Sequence, residues 1–246
     1  MCATCGCSGA SPATLTDLRS GTTVELAELQ GEPHTHVHDG HTHTHSHGTT
    51  IELEQAILAK NDRLAERNRG WLAGRGASAL NLVSSPGAGK TTLLERTLRE
   101  LELPMQVIEG DQQTLNDARR IEAAGGRVVQ INTGTACHLD AAMVGRALEQ
   151  LSPPPGALVL IENVGNLVCP ATFDLGEDLR LVLFSVTEGE DKPLKYPTIF
   201  NTADVALITK MDMAAAADFD LTAARQSILA VRPGLPIFPL SVKTGE

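Results

Sequence analysis

Aromatic side chains are nearly missing from this chain: one Trp, one Tyr and five Phe stand among 246 residues. The core must therefore be built from Leu, Val, Ile and Ala. A basic face is missing too. The balance of 30 Asp and Glu against 20 Lys and Arg leaves a formal net charge of −10. That argues against sequence-independent binding to nucleic acid or to an anionic membrane. No apolar run is long enough to span a bilayer, and the N-terminus lacks the charged-then-apolar pattern of a secretory signal. The Cys residues number five, an odd count, split between the extreme N-terminus and the middle of the chain. This is a poor disulfide framework and a better metal-binding one, and it fits a cytoplasmic, reducing compartment. Large apolar residues are few in residues 1–50, which cannot bury enough surface to offset their ordering entropy. A mostly disordered metal-binding arm is expected there, with at most a transient helix over Thr14–Leu29.

The chain beyond the arm is richer in pattern. Residues 51–70 read as an amphipathic helix, with Ile51, Leu58 and Ala65 on one face and Leu53, Ile57 and Leu64 beside it. Gly70, Gly74 and Gly76 mark its end. From residue 79 the chain alternates strand and helix. Strands are predicted over 79–84, 105–109, 127–132, 157–162, 180–187, 204–209 and 236–241. Apolar β-runs alternating with helices imply an α/β fold: a mainly parallel sheet covered by helices on both faces. Residues 51–246 are read as one such domain, and no internal repeat is apparent.

Within it, Ser84-Ser85-Pro86-Gly87-Ala88-Gly89-Lys90-Thr91-Thr92 joins a buried strand to a helix. Strand, glycine-rich turn, Gly-Lys-Thr and helix make a phosphate-binding loop, although Ser84 stands where Gly is usual. Backbone N–H groups of Gly87, Ala88, Gly89 and the helix start form a concave anion site. Lys90 is placed to reach the β- and γ-phosphates, and the Thr91 hydroxyl to hold Mg²⁺. Strand 157–162 ends in Glu162-Asn163-Val164-Gly165. This occupies the place of the Asp-x-x-Gly switch segment of nucleotide-switch proteins, with Glu in place of Asp. In those proteins a carboxylate supports Mg²⁺ or its waters and the Gly amide, here expected of Gly165, senses the γ-phosphate. Asp111, in Glu109-Gly110-Asp111-Gln112-Gln113-Thr114, reads equally as a further Mg²⁺-shell carboxylate or as a helix N-cap. Thr209-Lys210-Met211-Asp212 matches the Asn/Thr-Lys-x-Asp guanine pattern, in which Asp212 accepts from the N1–H and N2–H₂ edge of the base. Ser241-Val242-Lys243-Thr244-Gly245 is similar to the last base-contacting loop of GTPases. No Gln is placed to orient water.

Three metal features stand apart. Cys2, Cys5 and Cys7 put three soft thiolates beside the terminal amine, a set that suits Zn²⁺, Ni²⁺ or Cu(I). His34, His36, His38, His41, His43, His45 and His47 form a run of imidazoles that chelates Ni²⁺, Cu²⁺ and Zn²⁺ with capacity more than selectivity. Cys137-His138 follows strand 127–132, and Cys169 lies four residues beyond Gly165. Parallel strands release their C-terminal loops on one edge, so these loops are expected near the nucleotide. Two Cys and a His make an incomplete site that needs water or a second subunit. Buried small apolar Cys residues are the other reading.

Taken together, these segments resemble the nickel-incorporation GTPases of NiFe-hydrogenase maturation, the HypB family. The resemblance is carried by Cys2-Ala3-Thr4-Cys5-Gly6-Cys7, the His-rich arm, Asn68-Arg69-Gly70-Trp71-Leu72, Ser84–Thr92 and Glu109–Thr114. It continues through Ala136-Cys137-His138-Leu139-Asp140, Glu162–Pro170 and Asp191-Lys192-Pro193-Leu194-Lys195-Tyr196-Pro197. It implies a GTP-promoted homodimer related to the urease nickel GTPase, with slow GTP hydrolysis used as a switch. It also implies tight Ni²⁺ binding at the N-terminal cysteines and Ni²⁺ or Zn²⁺ binding at Cys137, His138 and Cys169. The implied partners are the zinc-containing metallochaperone HypA and the hydrogenase large subunit. The family normally continues into a final helix, whereas this chain stops at Glu246. Two other roles compete: nickel storage centred on the His run, and urease maturation, against which the N-terminal cysteines and Asn-Leu-Val-Cys-Pro argue.

Overall fold

A computed structural model of the chain describes residues 13–26, 36–38, 41–43, 50–112 and 114–245. Cys2, Cys5, Cys7, His34, His45 and His47 lie outside the described residues. Of His36, His38, His41 and His43 the backbone alone is described. The elements run β1 (Thr14–Asp17), β2 (Thr22–Glu25), β3 (His36–His38), β4 (His41–His43), α1 (Thr50–Ala73), β5 (Ser78–Ser84), α2 (Lys90–Glu100) and β6 (Met105–Asp111). They continue α3 (Asn116–Ala123), β7 (Arg127–Asn132), α4 (Ala141–Leu151), β8 (Leu158–Glu162), β9 (Leu179–Ser185), α5 (Lys192–Lys195), α6 (Pro197–Thr202), β10 (Val205–Thr209), α7 (Leu221–Val231) and β11 (Ile237–Pro239).

The main sheet has the order β11-β10-β9-β5-β8-β6-β7-β1-β2. Every pairing from β11 to β7 is parallel. The expected α/β architecture is therefore present, and its strands lie within a few residues of the predicted ranges. Alternation along β5 divides the core. Leu80 and Leu82 join Leu94 of α2 and Ile121 of α3 on one face. Ala79 and Val83 point to the other face, into a cluster under α1 and α4 and a second cluster around Phe184 and Phe200. Most of this core is aliphatic, as the scarcity of aromatics requires, with Phe173, Phe184 and Phe200 its buried aromatics among the described residues.

One expectation needs correction and another needs completing. The segment expected as a transient helix, Thr14–Leu29, contributes a β-hairpin. β1 pairs antiparallel with β7 and β2 with β1. Its Thr-rich sequence favours extended backbone. The Asp17 carboxylate closes the turn by accepting from Arg19 and Ser20 N–H at 2.9 and 3.3 Å. Leu15 and Leu26 anchor it in the α1/α4 cluster. The apolar face read for α1 needs completing: Ala65 is buried and Ile57, Leu58 and Leu64 are half-buried, but the fully buried stripe between them includes two Asn. That stripe is Asn61, Ala65, Asn68 and Leu72. Asn61 accepts from Ala141 N–H at 2.9 Å and donates to Asp174 O at 2.7 Å. Asn68 donates to Ala141 O at 2.8 Å and Leu175 O at 3.0 Å. Two buried carboxamides thus dock α1 onto backbone, where an apolar pattern leaves no trace.

The hairpin makes a testable distinction. Leu15→Ala should cost ~2–4 kcal/mol of local stability through the cavity it leaves, whereas Val24→Ala on the exposed outer strand should stay within ~0.5 kcal/mol. Faster amide exchange in β7 for the first variant, and unchanged exchange for the second, is the expected result.

Candidate nucleotide and metal site

The phosphate loop leaves β5 at the middle of the sheet. Gly87 and Gly89 take φ of 76° and 101°, a region in which a side chain would be strained. Gly89 is the N-cap of α2, which begins at Lys90. Ser84, the departure from the usual Gly, has a function here. Its buried Oγ receives Lys90 Nζ at 2.9 Å. Burial lowers the Lys90 pKa, against the opposing pull of Glu162.

β8 lies beside β5, so Glu162 reaches across to α2, where Thr91 Oγ1 donates to its Oε1 at 2.7 Å. Burial pushes the Glu162 carboxyl up to about 7, with Lys90 acting in the other direction. Its Oε2 is buried with no hydrogen-bond partner. Glu109 is a site residue that the motif pattern does not reveal, since the pattern points to Asp111 instead. It stands opposite Glu162 in the β6–β8 pairing, also keeps a buried oxygen without a partner, and is pushed up to about 9, first by burial and then by Glu162. A hydroxyl and carboxylate oxygens gathered at strand ends form the donor set that a hard divalent cation takes. Asp111 turns both oxygens onto its own loop: Oδ1 accepts from Gln112 N–H at 2.7 Å, and Oδ2 from Thr114 N–H and Oγ1 at 3.0 and 2.9 Å. It closes that turn and is not the N-cap of α3, a position held by Leu115. Thr92 faces α3, where its Oγ1 accepts from Arg120 at 3.2 Å. Gly165 packs against the phosphate loop so closely that a Cβ there would lie 2.9 Å from Pro86 Cα.

The expected base loops close over the same turn. Thr209 Oγ1 donates to Ala88 O and Lys210 Nζ to Gly87 O, each at 2.7 Å. Asp212 Oδ1 accepts from Ser241 Oγ at 2.8 Å, and Lys243 Nζ lies 4.0 Å from its Oδ2. Both loops therefore meet at Asp212, with Lys243 largely in solvent.

Cys137, His138 and Cys169 also converge. Their ligand atoms all lie within 4.8 Å of one another. The two Sγ atoms are 2.8 Å apart, and Cys137 Sγ is 3.9 Å from His138 Nδ1. Burial lowers the His138 pKa, which favours the neutral imidazole a metal needs. Two sulfurs and one nitrogen suit Zn²⁺ or Ni²⁺ and leave a coordination position open.

These features define a P-loop nucleotide-binding domain with the fold of a GTPase. A family profile described as "CobW/HypB/UreG, nucleotide-binding domain" matches residues 78–239. The chain is 54% identical over 198 residues to "Hydrogenase maturation factor HypB" of Rhizobium leguminosarum bv. viciae, an alignment covering 80% of this chain and 66% of that protein. It is 43% identical over 199 residues to "Hydrogenase/urease maturation factor HypB" of Helicobacter pylori, covering 78% and 81%. Among solved structures, HypB from Helicobacter pylori in complex with nickel matches with a TM-score of 0.71 at 42% identity, covering 75% of this chain and 87% of that one. HypB from Archaeoglobus fulgidus matches with a TM-score of 0.71 at 40% identity, covering 76% and 93%. The chain belongs to the CobW/HypB/UreG family of P-loop GTPases and, within it, to the hydrogenase maturation factors HypB.

This geometry yields two testable outcomes. Asp212→Asn should weaken GTP and improve xanthosine triphosphate, whose altered edge suits an amide; equal affinities for ATP and GTP before mutation would refute the base assignment. Glu109→Gln should stabilise the nucleotide-free protein at alkaline pH. The Glu109 pKa is raised from 4.5 to about 9 in the folded state. Folding therefore retains a proton that the unfolded chain releases above about pH 4.5, and stability is lost as pH rises through about 9. The difference in thermal midpoint between variant and parent should be absent near pH 4.5 and widen steadily to pH 9.

Proposed function

We propose that this chain is a slow, Mg²⁺-dependent GTPase that gates nickel delivery to the large subunit of NiFe-hydrogenase. The observation that carries the reading is a juxtaposition. Cys169 lies four residues beyond Gly165, which packs on the phosphate loop, and Cys137 and His138 meet Cys169 from the neighbouring loop.

In this reading Lys90, Gly87, Ala88, Gly89 and the start of α2 hold the phosphates. Thr91 and Glu162 hold Mg²⁺, with Asp111 in its outer shell. When bound, Mg²⁺ supplies charge neutralisation at the phosphate oxygens. The unpartnered Glu162 Oε2 fits that task. Lys90 offsets charge developing on the transferring group. Asp212 selects guanine, while Lys210 pins the base loop to the phosphate loop.

Nickel is the cargo. Cys137, His138 and Cys169 bind it, with Zn²⁺ competing for the same donors, and a GTP-promoted homodimer supplies what the three-ligand set lacks. Cys2, Cys5 and Cys7 form a separate tight Ni²⁺ site, and the His run from His34 to His47 acts as a reservoir. β1 supports that division of labour. Thr14 pairs with Asn132, so the root of the arm lies at the sheet edge from which the Cys137 loop departs. Delivery runs through HypA in the cytoplasm. Among the described residues no helix is long and apolar enough to cross a membrane, and the net charge of −10 opposes nucleic-acid binding.

A second client is suggested by the Helicobacter pylori relative, a hydrogenase/urease maturation factor by name. Gene replacement separates the readings. At ample nickel, Lys90→Ala should abolish hydrogenase activity, deletion of residues 30–48 should leave it intact, and urease should be unaffected by either. Hydrogenase activity lost on the deletion but kept in Lys90→Ala would make storage the main role. Parallel loss of urease in Lys90→Ala would add the second client.

A further inference from the structure

Asn163 directly follows Glu162 and is 1% exposed. A carboxamide is stable at that depth where its donor and acceptor atoms find partners. Its Oδ1 accepts from the Val164 N–H at 2.9 Å and from the Leu139 N–H at 3.2 Å. Leu139 is the residue after His138, so this bond ties the loop bearing Cys137 and His138 to the switch segment. The Asn163 Nδ2 donates to Asn81 Oδ1 at 3.3 Å.

From there a second path leads to the other metal loop. Asn81 is fully buried, on the strand that ends in the phosphate loop, and donates to Glu177 Oε1 at 3.0 Å. Glu177 also receives Arg180 Nη2 at 2.8 Å and the Leu175 N–H at 2.7 Å. Arg180 donates to the carbonyls of Ala171 and Phe173 at 3.1 and 2.8 Å. Ala171 ends the turn of 3₁₀ helix that begins at Cys169. The Phe173 ring lies against His138, with centroids 4.0 Å apart. One chain of hydrogen bonds therefore connects the switch segment to both metal-bearing loops.

These groups cannot move singly. A buried polar group left without a partner costs ~1–3 kcal/mol, and breaking a buried ion pair such as Glu177–Arg180 costs more. A displacement of Asn163 must therefore carry Leu139 with it or rupture the link to Asn81. We propose that Asn163 is a positioning residue for the metal ligands. With Asn81, Glu177 and Arg180 it forms the buried relay through which occupancy of the phosphate site sets metal affinity at Cys137, His138 and Cys169. This rests on the nucleotide–metal coupling proposed above and names the residues that transmit it.

The test uses the full chain with Cys2, Cys5 and Cys7 replaced by Ala. Of five Cys, Cys137 and Cys169 then remain, so thiolate-to-Ni²⁺ charge-transfer absorption reports this site alone. Ni²⁺ is titrated in GDP and in a non-hydrolysable GTP analogue. With Asn163 intact, the two affinities should differ by about tenfold, within the usual range of coupling between sites. Asn163→Asp keeps the acceptor toward Leu139 and Val164 but loses the donor to Asn81. Asn81→Ala breaks the same link from the other side and leaves the Leu139 bond in place. Each should retain Ni²⁺ affinity in GDP to within about threefold while the nucleotide ratio falls below about twofold. Asn163→Ala should weaken Ni²⁺ in both nucleotide states; should it fail to fold, the other two variants decide. A full ratio retained in both Asn163→Asp and Asn81→Ala overturns the relay and leaves the coupling standing. A ratio near one with Asn163 intact overturns both.

Discussion

The parallel pairing of β5 with β8 is the constraint on which the rest depends. β5 delivers the phosphate loop, and β8 ends in Glu162 beside it. Because the two strands run the same way, their C-terminal ends coincide, and Glu162 meets the first turn of α2 at Thr91. Turning either strand round would send Glu162 to the far edge of the sheet. The same rule brings out the Cys137 loop after β7 and the Cys169 loop after β8 on that edge. The proposed nucleotide and metal sites are thus neighbours by topology before any side chain is considered.

The interior between α1, β5 and the Cys137 and Cys169 segments is polar for a core otherwise mostly aliphatic. Asn61, Asn68, Asn81, Asn163, Glu177 and Arg180 are all buried. Each is matched to a backbone group or to another member of the set. Apolar packing there would tolerate small slips, because the hydrophobic effect has no direction. Hydrogen bonds at fixed distances do not tolerate them. In the proposed relay, Asn81, Asn163, Glu177 and Arg180 hold the Cys137 and Cys169 segments in register with β5, at the cost of desolvating charges and amides. The raised pKa values of Glu109 and Glu162 are the counterpart at the phosphate site. There burial leaves oxygens without partners, as suits a site that receives a cation.

Much of this was legible in the residues. Strand and helix positions from 79 onward followed from apolar periodicity. The conformation of the glycine-rich turn followed from spacing, since backbone conformation at Gly87 and Gly89 and side-chain reach at Lys90 are local properties; the guanine role of Thr209–Asp212 and Ser241–Gly245 is a proposal that rests on spacing as well. The hairpin Thr14–Glu25 was not legible. Its stability comes from pairing with β7 and from Leu15 and Leu26 entering a core whose other members run from Leu72 to Leu175. The burial of Asn61 and Asn68 escaped for the same reason: an apolar-periodicity reading assigns Asn to the surface.

The sequence by itself determined which residue types stand in which short patterns: a Lys and a Thr at a helix start, as proposed for phosphate and Mg²⁺, an Asp proposed to read guanine, and soft side chains proposed to hold a metal. Those choices reside in residue types and short spacings, which survive without a fold. Tertiary structure alone decided which of them act together. Cys137 and Cys169 are 32 residues apart in the chain and 2.8 Å apart at sulfur. Glu109 is placed opposite Glu162 by strand register. Asn163 is joined to the Cys137 loop directly at Leu139 and to the Cys169 segment through Asn81, Glu177 and Arg180. Contacts of this kind arise from register and burial, which depend on every strand of the sheet and are written in no single segment.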